Sequence, residues 1–261
     1  MMFKRRRKIR NVPIIGIHGA GKTYFIISLG YFISLEKWGE VETPDYFFEL
    51  SKYVLSQQPI PPTIGFHPVR VRLDYVEYGN RRYDARIILS TGDISGIEFE
   101  RAMEESATFK FSKKSDLKKA PPNLRKLYDL LLNSDGIIAI IDVAKYMSQE
   151  SSKGDAILKA FSDQILPIAR AIEIVTSFSE FALRPLFFVF SKQDLHRLTV
   201  EDIRPYFDSA WAILLRRLES KLVNIKMYTV SSVGWSQEPL ERLKARGFDR
   251  LLYDLVLSFQ D

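Results

Sequence analysis

Glycine, lysine and threonine fall together at one place in the chain, Gly16-Ile17-His18-Gly19-Ala20-Gly21-Lys22-Thr23, in the spacing G-x-x-x-x-G-K-S/T. The chemistry this spacing serves is the holding of a polyphosphate. Gly16, Gly19 and Gly21, with Ala20 between them, let consecutive backbone N–H groups turn inward around the α- and β-phosphates, and the positive end of a following helix adds to the field. Lys22 then reaches the β- and γ-phosphates, and the Thr23 hydroxyl binds Mg²⁺. The motif does not choose between adenine and guanine.

Later segments bear on that choice. Ser191-Lys192-Gln193-Asp194 follows directly on the apolar run Leu186 to Phe190. A carboxylate at Asp194 can accept two hydrogen bonds from the N1–H and exocyclic amine of guanine, a donor pair that adenine lacks, while the hydrocarbon stem of Lys192 lies along a base plane. Charged residues also end many strands, so the tetrapeptide alone is equally a strand end. Ser231-Ser232-Val233 closes the next apolar run, where the Ser232 N–H could donate to guanine O6 or the three residues could form only a turn. In Thr91-Gly92-Asp93-Ile94-Ser95-Gly96, Asp93 is suited to hold Mg²⁺ through water and the Gly96 N–H to meet a γ-phosphate, so that the loop would sense that phosphate. Pro62-Thr63-Ile64-Gly65-Phe66 offers the Thr63 hydroxyl as a second Mg²⁺ contact.

In this order, each at a strand end, these segments resemble the motifs of the Ras-like GTPase superfamily, and the Pro62 to Phe66 run is similar to the first switch of its Arf-like branch. The resemblance implies a GTP/GDP and Mg²⁺ site built from Gly16 to Thr23, Thr63, Asp93 to Gly96, Ser191 to Asp194 and Ser231 to Val233. Lys22, Thr63, Gly96 and His18 would then stand nearest the reacting phosphate. It also implies a molecular switch in which residues 58–68 and 93–112 order around the γ-phosphate, relax after hydrolysis, and signal through effector and regulator proteins. Ile97 occupies the place of the family's catalytic glutamine and cannot orient water, so hydrolysis is expected to be slow. His18 stands where small residues are usual; it would obstruct an arginine finger, contact water or phosphate, or serve only as a polar loop residue. Ser191 replaces the usual asparagine or threonine, which is expected to weaken base affinity while leaving the specificity at Asp194.

The elements that must position these residues are legible in the hydrophobic pattern. Val12 to Ile17 predicts a strand ahead of the glycine-rich loop and Tyr24 to Trp38 a helix after it. Alternation in Val69, Val71, Leu73, Tyr75 and in Ala85, Ile87, Leu89 predicts a hairpin turning at Tyr78 to Arg82. Gly136 to Asp142, Pro185 to Phe190 and Ile225 to Val230 are continuous apolar runs of the kind a parallel sheet buries. Helices are expected at Pro44 to Gln57, Lys153 to Phe181, Glu201 to Ser220 and Pro239 to Phe259, the last with Phe248, Leu251, Leu252, Leu255, Val256 and Phe259 on one face. The expected fold is α/β, a doubly wound, mostly parallel P-loop sheet with one antiparallel strand. A basic arm over residues 1–11 would precede a single domain over 12–261, carrying helical insertions at about 39–62 and 98–133.

Composition bounds the remaining possibilities. With 46% hydrophobic and 27% charged residues in 261, the chain has the composition of a folded protein. No apolar run approaches the roughly 20 residues of a membrane span. Absence of cysteine excludes disulfides, thiolate metal sites and cysteine nucleophiles, and the expected compartment is the cytoplasm. Lys4, Arg5, Arg6, Arg7, Lys8 and Arg10 account for the whole net charge of +6, so the body is balanced and no specific nucleic-acid contact is expected. The arm is either a solvated end or a contact for anionic lipid at the inner membrane face. Met2 and the closing Ser258-Phe259-Gln260-Asp261 offer no lipidation motif. Two other functions compete with the switch: a P-loop ATPase in which Asp142 ends the Walker B strand, and a nucleotide-stabilised scaffold without useful turnover, which Ile97 would suit.

Overall fold

The structure, a computed structural model, describes residues 8–56, 68–91, 94–109, 114–150, 152–178, 185–207, 216, 224–231 and 247–260. Seven strands form one sheet in the order β2-β3-β4-β1-β5-β6-β7. They are β1 (Arg10–Ile15), β2 (Gly39–Val41), β3 (Val69–Tyr78), β4 (Arg81–Thr91), β5 (Ile137–Ile141), β6 (Pro185–Phe190) and β7 (Asn224–Thr229). β4, β1, β5, β6 and β7 pair in parallel, whereas β3 is antiparallel to both β4 and β2. β3 is therefore the single reversed strand. The fold is the α/β P-loop arrangement with a doubly wound, mostly parallel sheet.

Burial explains why the central strands read as unbroken apolar runs. All five residues of β5 and all six of β6 are buried, because helices cover both faces of a parallel sheet. The helices are α1 (Lys22–Leu35), α2 (Pro44–Ser56), α3 (Gly96–Thr108), α4 (Pro122–Asn133), α5 (Ala144–Met147), α6 (Lys153–Ala160), α7 (Leu166–Phe178), α8 (Gln193–His196), α9 (residues 200–207) and α10 (Phe248–Leu257). α1 follows β1 through the glycine-rich loop and buries Phe25, Ile26, Ile27, Leu29 and Ile33. Phe248 of α10 meets Phe25 edge-on at 5.1 Å, and Phe207 of α9 packs on Phe188 at 5.7 Å, so the core is continuous through aromatic contacts.

Several boundaries differ from those expected. β1 begins at Arg10, not Val12, because the backbone N–H of Asn11 and the side chains of Lys8 and Arg10 are all tied to the Asp135 carboxylate. β2 adds an edge strand within the stretch where only a helix was expected. The helix expected from Lys153 to Phe181 is α6, a π turn at Phe161–Ile165, and α7. Pro167 has no N–H for the carbonyl of Asp163, and the turn ahead of it widens, with the Leu166 N–H bonding back to the Phe161 carbonyl. The last helix starts at Phe248 behind Gly247, which caps it at a left-handed φ of 85°; residues 239–246 of the run expected from Pro239 lie outside the described residues. Glu98 to Asn133 contains most of α3, a 3₁₀ turn at Lys114–Lys119, and α4. Among the described residues no helix is long and apolar enough to cross a membrane.

Candidate functional site

Parallel strands deliver their following loops to one edge of the sheet. The C-terminal ends of β1, β4, β5, β6 and β7 lie there, and with them come the loops carrying Gly16 to Thr23, Ser95 and Gly96, Asp142, Ser191 to Asp194, and Ser231. Thr63, Asp93, Ser232 and Val233 lie outside the described residues.

The glycine-rich loop lies between β1 and α1. Gly19 and Gly21 adopt φ of 76° and 91°, left-handed values that glycine reaches without steric cost, and Gly21 caps the start of α1. The Phe25 N–H closes the first helical bond on the Gly21 carbonyl at 2.8 Å. Lys22 folds back along the loop, its Nζ donating to the carbonyls of Gly16 and Ile17 at 2.8 Å each. Burial lowers its pKa to about 8 against the opposing pull of Glu100. An ammonium held at such expense is ready for an anion. Thr23 is half-buried in the first turn of α1, and Ala20 is fully buried, while His18 and Gly19 are exposed.

α3 reaches the same loop through Gly96. A methyl at Gly96 would stand 2.6 Å from the backbone N and Cα of His18, so only glycine permits this approach. Ser95 caps the helix by accepting from the Glu98 N–H at 3.2 Å, while Glu98 accepts the Ser95 N–H at 2.8 Å, a complete capping box. Ile97 is 47% exposed, hence no part of the core, and brings no polar group to the loop.

The Ser191 to Asp194 loop is bolted to the phosphate-type loop. Ser191, the departure from the expected asparagine or threonine, is buried and donates its hydroxyl to the Ala20 carbonyl at 2.8 Å. Lys192 sits at φ 62°, a left-handed conformation a lysine adopts only when its surroundings fix it. Its Nζ bridges the Gly19 carbonyl at 3.1 Å and the Asp142 carboxylate. Asp194 accepts the Ser231 hydroxyl at 2.9 Å, which joins the two loops expected to read a base.

Two supporting residues have no counterpart in the motif reading. Gln164, buried in the π turn, accepts the Asp142 N–H at 3.0 Å and donates to the Asp142 carbonyl at 2.9 Å, which fixes the end of β5 at both backbone groups. His196, also buried, lies between the Ser191 carbonyl and the Leu198 N–H at 3.0 and 2.9 Å. Neither contact is readable from local sequence; the signals are a proline three residues after a glutamine, and a histidine just behind the base tetrapeptide. Among the described residues no group of three or more acids or histidines gathers as metal ligands, and Thr23 alone of the expected Mg²⁺ contacts falls among them.

No family model matches the sequence, and no curated protein does. The chain is similar in structure to the signal recognition particle receptor SRb–GTP/SRX complex from Chaetomium thermophilum, with 14% identity over 90% of this chain and 97% of that one and a TM-score of 0.48. The SRb–GDP form from the same organism matches at 11% identity over 95% and 99%, TM-score 0.46. The translation elongation factor SelB from Methanococcus maripaludis with the GTP analogue GppNHp matches at 12% identity over 96% of this chain and 34% of that chain, TM-score 0.40.

Proposed function

We propose that this chain is a guanine-nucleotide-binding switch that takes GTP and GDP with Mg²⁺ and hydrolyses GTP slowly. The observation that carries the reading is the joining of two loops: Ser191 and Lys192 hold the carbonyls of Ala20 and Gly19, so a base reader and a phosphate reader share one rigid frame. The residues present fit the nucleotide. Positive-φ glycines open the cradle, and Lys22 carries a desolvated charge at its mouth. Thr23 would hold Mg²⁺ together with Thr63 and Asp93, and the ion would neutralise phosphate charge there. Asp194, steadied by Ser231, accepts the guanine donor pair, and the stem of Lys192 covers the base. Gly96 lies against the loop where a γ-phosphate N–H contact is required, and Ile97 beside it offers no polar group to orient water, which supports slow turnover. Output passes through partner proteins that meet residues 58–68 and 93–112 in one nucleotide state.

An ATPase with Asp142 as its metal carboxylate fits less well. That carboxylate is buried and committed, one oxygen to Lys192 and the other to the Lys145 N–H at 3.1 Å. A scaffold without turnover is the second reading, favoured by Ile97.

Titration with GDP and ADP tests the proposal: GDP should bind far more tightly. Asp194→Asn should weaken GDP by about 2–3 kcal/mol, since an amide mispairs with guanine N1–H and the charge-assisted bonds are lost. Equal affinities of the unaltered protein for GDP and ADP would overturn the guanine reading, and GTP that stays intact through a single-turnover incubation would leave the scaffold.

A further inference from the structure

His196 has both ring nitrogens engaged, and the partners dictate its chemical form. The Leu198 N–H points at Nδ1, so Nδ1 must be the acceptor; the proton then resides on Nε2, which donates to the Ser191 carbonyl. One side chain thus ties the first residue of the base loop to the residue that leaves it. The loop between them needs such a tie, because it turns through two left-handed non-glycine residues, Lys192 at φ 62° and Arg197 at φ 54°. Conformations of that kind persist only where the surroundings over-determine them.

We propose that His196, as a neutral imidazole protonated on Nε2, is a positioning residue for base recognition, holding Lys192 and Asp194 at the angles the base requires. The inference rests on the guanine-switch reading of this site. Burial lowers the His196 pKa, while the Ser191 carbonyl, Asp194 on its own loop and Asp142 at the end of β5 pull it upward and Lys153 of α6 pushes it down. α5 also packs on α8 and contributes one cation, Lys145. Protonation at Nδ1 would set two donors against each other at Leu198, opening the loop while the glycine cradle of residues 16–23 stays formed. Base recognition would then weaken in acid.

GDP affinity measured from about pH 7.5 to about pH 5.5 tests this in three proteins. The unaltered chain should hold its affinity near neutral pH and lose it toward the acid end, since burial places His196 protonation below the ordinary imidazole value. His196→Ala should bind GDP at least about tenfold more weakly at neutral pH, the consequence of unmaking two buried hydrogen bonds. His196→Asn, whose amide oxygen can accept the Leu198 N–H and does not titrate, should recover part of that loss and show a flat profile over the same interval. GDP binding by His196→Ala equal to that of the unaltered chain would overturn the proposal. So would an acid loss that persists in His196→Asn, since a group other than His196 would then be its source. Should the alanine variant fail to fold, nitrogen-15 NMR of the unaltered chain still decides: an Nδ1–H tautomer or an imidazolium at neutral pH overturns it, and the Nε2–H tautomer supports it. Equal GDP and ADP affinities of the unaltered chain would remove the guanine reading instead, and the tautomer measurement, which uses no nucleotide, remains decisive for His196.

Discussion

Lys22 carries the sharpest consequence at the scale of a single residue. Its ammonium is stabilised by the carbonyls of Gly16 and Ile17 yet desolvated enough to bring its pKa to about 8. A phosphate replaces that arrangement with an opposite charge and raises the pKa again, so binding must take up a proton wherever the nucleotide-free lysine is partly neutral. The sign follows: on the proposed reading GDP affinity should be full below about pH 8 and fall as pH rises beyond it. Calorimetry near that pH in two buffers of different ionisation enthalpy should report up to one proton taken up per nucleotide, and none in Lys22→Arg; no uptake in the unaltered chain would place Lys22 away from the phosphates. The place of the glycine-rich loop between β1 and α1 was legible in the sequence because residue types and spacing mark it within eight positions. Gln164 and His196 were not. Gln164 acts on a backbone 22 residues away, and His196 matters only because the chain folds back on itself between Ser191 and Leu198.

At the scale of elements, α3 is the part whose start has to be fixed, because Gly96 rests on the His18 backbone and drift of the helix would carry it off the loop. Ser95 and Glu98 hold that start, and Lys126 of α4 reaches the Glu98 carboxylate at 2.9 Å, joining two helices through one acid. Despite its partial burial, hydrogen bonds from Ser95 and the charge of Lys126 keep the Glu98 pKa below the ordinary carboxylate range. Ser95→Ala should cost about 1 kcal/mol in chemical denaturation, a typical loss for a cap, with an unchanged slope; a stability equal to the parent's would mean that Lys126 and Glu98 suffice. Elements with strong patterns were readable beforehand: β5 and β6 as apolar runs, β3 and β4 as alternating ones, α10 as a one-faced helix. What escaped had little local signal. β2 is three residues long and exists because β3 offers an unpaired edge. The π turn depends on how Pro167 is accommodated inside a helix, and its effect is long-range, for within it lies Gln164, which holds Asp142, which holds Lys192 over Gly19.

Across the whole molecule, charge and chemistry lie at opposite edges of the sheet. The described loops of the candidate site follow the C-terminal ends of strands, whereas Lys8, Arg10 and Arg86 line a cleft beside the start of β1, floored by Ile87, Val256 and Phe259. The Arg10 guanidinium stands 5.4 Å from the centre of the Phe259 ring. Lys8 and Arg10 are therefore structural as well as basic, since both lie 3.2 Å from Asp135, a carboxylate whose side chain is only 14% exposed. Removing them would strand that carboxylate in a partly dry setting, at a cost in stability unrelated to any surface the arm might meet. Lys4, Arg5, Arg6 and Arg7, the other cations of the arm, lie outside the described residues. Near an anionic bilayer each would contribute about 1 kcal/mol, so together they should give a weak, reversible and salt-sensitive attachment. A variant lacking residues 1–7 keeps the Asp135 anchor and isolates this effect. Sedimentation with phosphatidylserine-rich vesicles at low salt should pellet the full chain and not the truncated one; high salt or neutral vesicles should release both. Equal pelleting of the two proteins, or none at low salt, would make the arm a solvated end.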